Sequence, residues 1–459
     1  MQNYLSICGI LACLLTAGTP ALSQSNQAQL QVEAEDALVG GEPARTAALA
    51  QQMLATNTDS FTALLLLALA QSDLGDQQQA AATAADAYRA APTEEARLQA
   101  ARLVASIRFG SAQYARSEFW LRRAANHTQT DQESQDVVRE YIRAARANPL
   151  SLEFSASVAP SDNINDGSND GILRFEGIDL DFVLPEDQRA LSGIEFSGSA
   201  RVNYRLTRNP NQTTTLNGYV SGRTYALSSS AKDLLASSPN ATVRSVKGSD
   251  FATAVAEIGI THRRPQLVSF GPTAFTVTFG TYWQGGDRLV DYQDIVLEQT
   301  IPLSSNAAFS FRGSIRDQQA LEPSVVDSVI YDAVGAYSFG LPNNDRLKFS
   351  LAWRQNDAGL ESTYTEYRTG VRYTFAKSVW TTRWSTSLDL EYRDYDEFAT
   401  TLDGRQDRVI RVGADAVFEG ITYFGFSPTM SFDASRRVSN AEEITSSAAQ
   451  VQIGVESSF

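Results

Sequence analysis

Cysteine and histidine are scarce in this sequence, with two residues of each. Both cysteines, Cys8 and Cys13, lie inside an uncharged apolar stretch from Leu5 to Ala21. Because small residues follow at Ala21-Leu22-Ser23, residues 1–23 are predicted to be a secretory signal peptide. Its removal leaves a mature chain without a thiol, a disulfide or a cysteine-based metal site. A lipoprotein signal at Leu11-Ala12-Cys13 is the alternative, but it would leave a very short apolar core.

Long hydrophobic runs and excess positive charge are also absent. After residue 23 the longest apolar run is Leu64 to Ala70, far short of the roughly 18 residues of a membrane-spanning helix. A membrane protein with this sequence would therefore cross with strands. The formal net charge of −15 argues against nucleic acid as a partner and favours solvated, exposed loops.

Residues for enzymatic chemistry are missing as well. The two histidines, His127 and His262, are far apart in sequence, and the chain has no G-x-S-x-G motif and no glycine-rich phosphate loop. We therefore predict no catalytic, cofactor-binding or metal-binding residues, and no enzyme. The segment Asp166 to Gly171 has the oxygen spacing of a calcium loop, but the twelfth position is Gly177, with Glu176 one place early, so a solvated acidic loop is the preferred interpretation.

The first part of the mature chain, residues 24–147, is rich in Ala, Leu, Gln, Glu and Arg, which favour helices. Gly41 and Gly75 are thirty-four residues apart, the period of a tetratricopeptide repeat. In the segment Phe61 to Glu94, Gly75 would form the turn between two helices, and Ala68 and Ala80 would let them approach closely.

A third repeat fits less well. Leu98, Ala105, Gly110, Ala115 and Ala124 match only if one residue is inserted near the turn at Gly110. A final helix is predicted from Asp131 to Arg146. We predict a periplasmic tetratricopeptide-like helical repeat domain over 24–147, and a plain helical bundle is the alternative. Stacked repeats usually bind a peptide or a protein.

From Asn148-Pro149 onward the hydrophobic period changes to two. Leu347, Phe349, Leu351 and Trp353 alternate with polar or small residues, which is the pattern of a strand with one apolar face. Residues 148–459 are therefore predicted to form a 14-stranded antiparallel transmembrane β-barrel in the bacterial outer membrane. The predicted strands lie near 151–160, 191–207, 213–227, 252–265, 273–286, 291–303, 306–318, 328–341, 346–357, 363–376, 379–395, 405–419, 422–439 and 444–459.

Connection lengths and the terminal residue support a barrel over a soluble β-sandwich, which would show similar alternation. Links after even-numbered strands are mostly tight, such as Ser304-Ser305, Pro342 to Asp345, Ala376 to Ser378 and Gly420-Ile421. Those after the first and third strands run for about thirty and twenty-five residues, as expected of outer loops, which would place both termini in the periplasm. Phe459 resembles the terminal signal read by the barrel-assembly machinery, and Trp283, Trp380 and Tyr395 suit aromatic girdles at the membrane interfaces.

The face of the strands opposite the apolar one is predicted to line a water-filled lumen of mixed charge with a cationic bias. Its charged residues are Arg312, Arg316, Lys348, Arg354, Arg368, Arg372, Arg383, Asp389, Glu391 and Arg393. Mixed charge is expected of any water-filled barrel, so this set indicates no particular cargo.

Two short strings carry a resemblance to a known family. The junction Asn148-Pro149-Leu150 is similar to an N-P-W pattern, with Leu150 in place of the aromatic residue, and Pro160 to Asn165 contains P-x-x-N-x-N. With repeats before a 14-stranded barrel, the chain resembles the surface lipoprotein assembly modulators, the Slam family, over nearly all of its mature length.

The resemblance implies an outer-membrane translocon that delivers client proteins, often lipoproteins, from the periplasm to the cell surface. Its expected partners are a client surface lipoprotein or secreted protein, outer-membrane lipids and, during biogenesis, the barrel-assembly machinery. The alternatives are an exopolysaccharide export barrel and a general porin.

Overall fold

The computed structural model describes residues 22–177, 180–207, 209, 211–268, 271–359, 362–418, 420–421 and 426–457. The predicted signal peptide lies almost entirely outside these residues, and so does Phe459. The chain forms two compact units that divide between Asn148 and Pro149. No helix in the described part of the chain is long and apolar enough to cross a membrane.

The N-terminal unit is built of antiparallel helix pairs, which confirms the prediction of tetratricopeptide-like repeats. Its helices are α1 (Leu22–Val39), α2 (Pro43–Thr56), α3 (Phe61–Asp73), α4 (Gln77–Ala90), α5 (Glu94–Gly110), α6 (Tyr114–Ala125) and α7 (Asp131–Ala147). Each helix packs on the next along the chain. Small side chains let the helices approach closely, since Ala68 on α3 and Ala80 and Ala84 on α4 are fully buried in one cluster.

Residues with a left-handed backbone conformation form the turns within the helix pairs. Gly41 and Gly75 have φ angles of 71° and 89°, which glycine adopts without the penalty of a Cβ atom. In the third pair the predicted turn residue, Gly110, is instead the last residue of α5, and Ala112 takes the left-handed position with a φ of 57°. The turn thus lies two residues after Gly110, which agrees with the insertion predicted near this turn.

The C-terminal unit is a closed barrel of fourteen antiparallel strands, as predicted. The barrel strands are β1 (Leu150–Ser161), β4 (Gly193–Arg205), β5 (Thr213–Leu227), β6 (Thr253–Val268), β7 (Gly271–Gln284), β8 (Asp287–Pro302), β9 (Ala307–Ala320), β10 (Ser328–Gly340), β11 (Arg346–Ala358), β12 (Tyr364–Thr374), β13 (Thr382–Tyr395), β14 (Arg405–Phe418), β15 (Phe426–Ser439) and β16 (Ser446–Ser457). Each strand pairs with the next along the chain, and β16 returns to pair with β1. Closure leaves no free strand edge, whose backbone N–H and C=O groups would have no hydrogen-bond partner in lipid.

Side chains alternate between two faces along every strand. The apolar set points outward and is exposed, as at Leu351 (69% exposed) and Ile453 (64%). Exposed apolar side chains on a closed barrel are those that contact lipid in an outer-membrane protein. The polar set points into the lumen. The barrel is therefore of the outer-membrane type.

Because the number of strands is even, β1 begins and β16 ends at the same end of the barrel, called here the terminal end. The long connections lie at the other end, called here the loop end. The two longest are 162–192 and 228–252, which confirms the predicted asymmetry. They contain a short hairpin, β2 (Ile172–Leu173) and β3 (Phe182–Val183), and two short helices, α8 (Ser229–Ala236) and α9 (Ala241–Arg244).

Two local predictions in the barrel were wrong. The strand predicted to begin at residue 379 begins at Thr382, because Trp380 and Thr381 adopt φ angles of 54° and 57° and form a turn. Tyr395 does not belong to an outer girdle. It lies on the luminal side of β13, buried beneath the guanidinium of Arg405, which lies 3.8 Å from the ring centroid. The predicted start of β15 at residue 422 lies outside the described residues.

Candidate transport surfaces

All ten charged residues predicted to line the lumen lie on the luminal face. The strand register places Lys348 beside Arg372, and Arg368 beside Glu391, on neighbouring strands. Most of these residues are not free charges, however. They take part in a network of ion pairs on β8 to β14, and, apart from Glu391, the sequence analysis did not identify their acidic partners.

Glu366 is the centre of this network. Its carboxylate is 2% exposed and accepts hydrogen bonds from Arg368 at 2.5 Å and from Arg393 at 2.6 Å. The neighbouring Glu391 accepts from Arg393 at 3.0 Å and from Arg411 at 2.7 Å. Each buried carboxylate thus accepts hydrogen bonds from two guanidinium groups, which compensates for its removal from water.

Ion pairs between adjacent strands, and one that spans β13, extend this network around the wall. Arg316 on β9 binds Asp294 on β8 at 3.0 Å, Arg354 on β11 binds Asp332 on β10 at 2.8 Å, and Arg372 on β12 lies 3.2 Å from Asp415 on β14. The cationic bias predicted for the lumen is therefore largely neutralised on these strands.

Two cations of the terminal end stand apart from the network. Arg346 and Lys348 on β11 form no ion pair with any residue that the structure describes. Nearby, a cavity of about 320 Å³ opens in the luminal wall, lined among others by Arg372, Arg383 and Asp415. Ser385 and Ser431 donate hydrogen bonds to Asp415, which fixes the carboxylate beside Arg372.

The P-x-x-N-x-N string begins at the end of β1 and holds the long connection 162–192 in shape. The Asn163 side chain donates to the Gly167 carbonyl and accepts from the Gly167 amide, both at 2.9 Å. Asn165 donates to the carbonyls of Asp187 and Arg189 and accepts from the amide of Leu191 at 2.9 Å. These asparagines close the base of the loop, so the role of the string visible here is structural.

The two long connections share an apolar core. Ile164 and Leu191 from the first pack with Ala231, Leu235 and Val243 from the second. Buried apolar side chains order a loop that would otherwise remain mobile. The loop end of the barrel thus carries a folded cap beside β1, β4 and β5.

Acidic side chains of the candidate calcium loop bind other residues of the protein. Asp166 pairs with Arg437 at 2.9 Å, and Glu176 accepts from the amide of Leu402 at 2.8 Å. Arg174 forms an ion pair with Glu442. Within the described ranges, no group of three acidic, histidine or cysteine side chains is placed to hold a metal ion.

His127 lies between α6 and α7 and connects three parts of the repeat domain. Its Nδ1 is 2.5 Å from Glu94 at the start of α5, and its Nε2 is 2.7 Å from the Tyr88 hydroxyl on α4. The hydrogen bond from His127 lowers the pKa of Glu94. His262, the other histidine, lies near the terminal end of β6 with its Nδ1 3.0 Å from the Thr214 hydroxyl.

The repeat domain also presents an accessible face where α5 and α7 lie side by side. Arg102 on α5 pairs with Glu140 on α7 at 2.5 Å, and the Arg143 guanidinium lies 4.8 Å from the Phe109 ring centroid. Val138 and Ile142, one turn apart on α7, are exposed. Because residues two positions apart lie about 200° apart around a helix axis, this apolar pair is on the side of α7 away from Glu140.

Comparisons with known proteins give neighbours for each unit separately. No family model matches the chain, and no curated protein matches it. The helical part is similar to the TPR2B domain of yeast Sti1, with 14% identity, a TM-score of 0.24, and coverage of 26% of this chain and 96% of that one.

The barrel is similar to solved outer-membrane structures. A loop-deletion mutant of OmpT, an outer membrane protein of Vibrio cholerae, matches with 10% identity over 68% of this chain and 99% of that one, at a TM-score of 0.32. OprD of Pseudomonas aeruginosa matches with 9% identity over 67% and 94%, at a TM-score of 0.34. With TM-scores this low, the architecture is assigned from the strand pairing and helix packing described above.

Proposed function

We propose that this chain is an outer-membrane translocon of the Slam type, which delivers client surface lipoproteins or secreted proteins from the periplasm to the cell surface. The observation that carries this proposal is the union, in one chain, of a helical-repeat domain with a closed barrel whose lumen is polar. A simple pore needs no repeat domain. In a chain with both units, the repeat domain would bind the client and the barrel would supply the route.

The lengths of the connections support the orientation in this proposal. In bacterial outer-membrane barrels the short turns face the periplasm and the long loops face outward. The terminal end of this barrel would then be periplasmic, and the repeat domain, which precedes β1, would lie in the periplasm. The client would bind the exposed side of α7 that carries Val138 and Ile142. This route involves no enzymatic step.

Deletion of residues 24–147 tests the proposal. Surface exposure of client lipoproteins, measured by protease treatment of whole cells, is expected to fall to the level of a strain lacking the chain. A heat-dependent gel shift of the remaining barrel controls for its assembly. If a fully assembled truncated barrel supported undiminished exposure, the repeats would have no part in delivery.

A finer variant tests the binding face without removing a domain. Val138→Asp combined with Ile142→Asp places charge on the exposed apolar positions of α7 and is expected to lower client exposure several-fold. The matched control is Gln78→Asp with Ala82→Asp, which places two charges at the same spacing on exposed positions of α4. Equal effects of the two double variants would contradict a specific role of this face.

The rival functions predict different results. A porin would conduct ions steadily with or without its helical domain. An exopolysaccharide exporter would bind a sugar polymer and leave every surface protein in place. Either result, with no client affected by loss of the chain, would replace the translocon proposal.

A further inference from the structure

The pairing of the first and last barrel strands differs from that of their other neighbours. β1 pairs with β4 along its whole length, Leu150–Ser161. Among the described residues it pairs with β16 over Ser155–Val158 and at Ser161, with a break between them. On its other side, β16 pairs with β15 without interruption. The β1–β16 contact, called here the seam, is thus interrupted at Ala159 and Pro160 within the part of the chain that the structure describes.

The interruption has a cause in the sequence. Proline has no backbone N–H and belongs at sheet edges rather than inside a ladder, and Pro160 lies within the gap. Further along the seam, Gly454 lets the strands approach, because a Cβ atom there would lie 2.6 Å from the carbonyl oxygen of Ala156.

The luminal side of the seam offers alternative hydrogen-bond partners. Ser155 bonds to Ser199 at 2.8 Å and Ser157 to Ser197 at 2.6 Å, and Gln452 reaches across the seam to Ser157. Hydroxyl and amide groups both donate and accept, so they satisfy backbone groups released by separation of the strands. Among the described residues no ion pair joins β1 to β16, in contrast to β8–β14.

The connection that follows β1 clamps the loop end of the seam. The Asp162 carboxylate accepts from the amide of Ala449 on β16 at 3.2 Å. Asp166 pairs with Arg437 on β15 at 2.9 Å, and Asn169 donates to Ser447 on β16 at 2.8 Å. Side chains of this connection therefore hold the part of β16 that extends beyond Ser161, and their release would free both strands at that end.

We propose that the seam is a lateral opening of the barrel, through which the acyl chains of a lipid-bearing client pass between the lumen and the membrane. This inference rests on the proposed function. An acyl chain in a water-filled lumen is unfavourable in proportion to the methylene groups that it exposes to water, whereas an open seam keeps it in hydrocarbon while the polypeptide occupies the polar lumen. The occupant is thus the lipid anchor, and the weak pairing provides the site of entry.

The absence of cysteine from the predicted mature chain permits a direct test. Ser155→Cys with Glu456→Cys forms a facing pair across the seam. Ser155→Cys with Ser199→Cys forms a facing pair across the continuous β1–β4 contact. Directly opposed residues on antiparallel strands lie within disulfide distance, so both pairs will oxidise in the folded barrel.

The readout is surface biotinylation in whole cells. It is measured for the lipoproteins that lose this labelling in a strain lacking the chain. Oxidation of the seam pair is expected to reduce their labelling at least tenfold, and reductant is expected to restore it. Oxidation of the β1–β4 pair is expected to change labelling less than twofold. Full labelling with the seam locked would overturn the lateral opening while the translocon function stood.

A second measurement tests the seam independently of any client. In the purified full-length chain in nanodiscs, backbone amides of β1 and β16 are expected to exchange with deuterium at least tenfold faster than those of β4 and β5. The seam disulfide is expected to abolish the difference. Equal protection of the four strands would overturn the proposal, whereas loss of the translocon function alone would leave this result unchanged.

Discussion

Glu366 on β12 and Arg393 on β13 are directly opposed in the strand register, and their side chains form an ion pair of 2.6 Å in the luminal wall. Arg393 also reaches Glu391 on its own strand, so one guanidinium connects two buried carboxylates. Such a network rigidifies the wall of β11–β14. The β1–β16 seam has no equivalent among the described residues, so rigidity is concentrated on one side of the barrel.

Replacement of Glu366 by Gln is expected to destabilise the barrel by about 2 kcal/mol, because Arg368 and Arg393 lose a charged acceptor in a buried position. The measurement is the urea midpoint of the heat-dependent gel shift. Lys348→Gln is the control, since Lys348 is luminal and forms no ion pair with a described residue. Equal midpoints for the two variants would show that the network adds no stability.

The strands were predictable from the period-two alternation of apolar residues, but the ion-pair partners of their charged side chains were not. Glu366 and Arg368 are two apart on one strand and so share a face, which the sequence does reveal. The pairing of Arg354 with Asp332 or of Arg372 with Asp415 depends on strand register, which alternation leaves open by steps of two residues. The contacts of Asp166 with Arg437 join positions too far apart in sequence for any local pattern to indicate them.

Replacement of Asn165 by Ala is expected to loosen the connection 162–192, because three backbone groups lose their side-chain partner. A net loss of about 1–2 kcal/mol corresponds to roughly tenfold faster trypsin cleavage at Arg174 and Arg189. Asn211→Ala, in the connection between β4 and β5, is the control and should leave the cleavage rate unchanged. An unaltered rate in the Asn165 variant would remove this residue from loop ordering.

The capping box of α7 gives a prediction for the repeat domain. Thr130 accepts from the amide of Glu133 at 3.2 Å, and Glu133 accepts from the amide of Thr130 at 3.1 Å. Thr130→Ala is expected to lower the stability of α7 by about 1 kcal/mol. Hydrogen exchange of α7 amides should quicken about fivefold, with Ser134→Ala as the control. Unchanged exchange would indicate that tertiary packing alone holds the helix.

Acidification should weaken the contact between Glu94 and His127. The fold lowers the pKa of Glu94, mainly through the hydrogen bond from His127. A carboxylate with a lowered pKa contributes stability above its unfolded-state value, about 4.3, and this contribution is lost as the pH falls through the folded-state value. The free energy of unfolding of the repeat domain, measured in urea, should therefore fall more steeply below about pH 5 in the wild type than in Glu94→Gln. Glu95→Gln should behave like the wild type; identical pH profiles for the wild type and Glu94→Gln would contradict the linkage.

The apolar outer face of the barrel makes the most direct prediction about the membrane. Leu351 lies in the middle of β11 and is 69% exposed on the outer face. Leu351→Arg is expected to destabilise the barrel by about 2–4 kcal/mol in a bilayer, because an arginine near the midplane loses its hydration. Ser350→Arg, one residue earlier, directs the same side chain into the lumen, close to Asp389, and should cost far less. Since the two variants differ only in the face that carries the charge, equal destabilisation in lipid vesicles would mean that the outer face does not contact hydrocarbon.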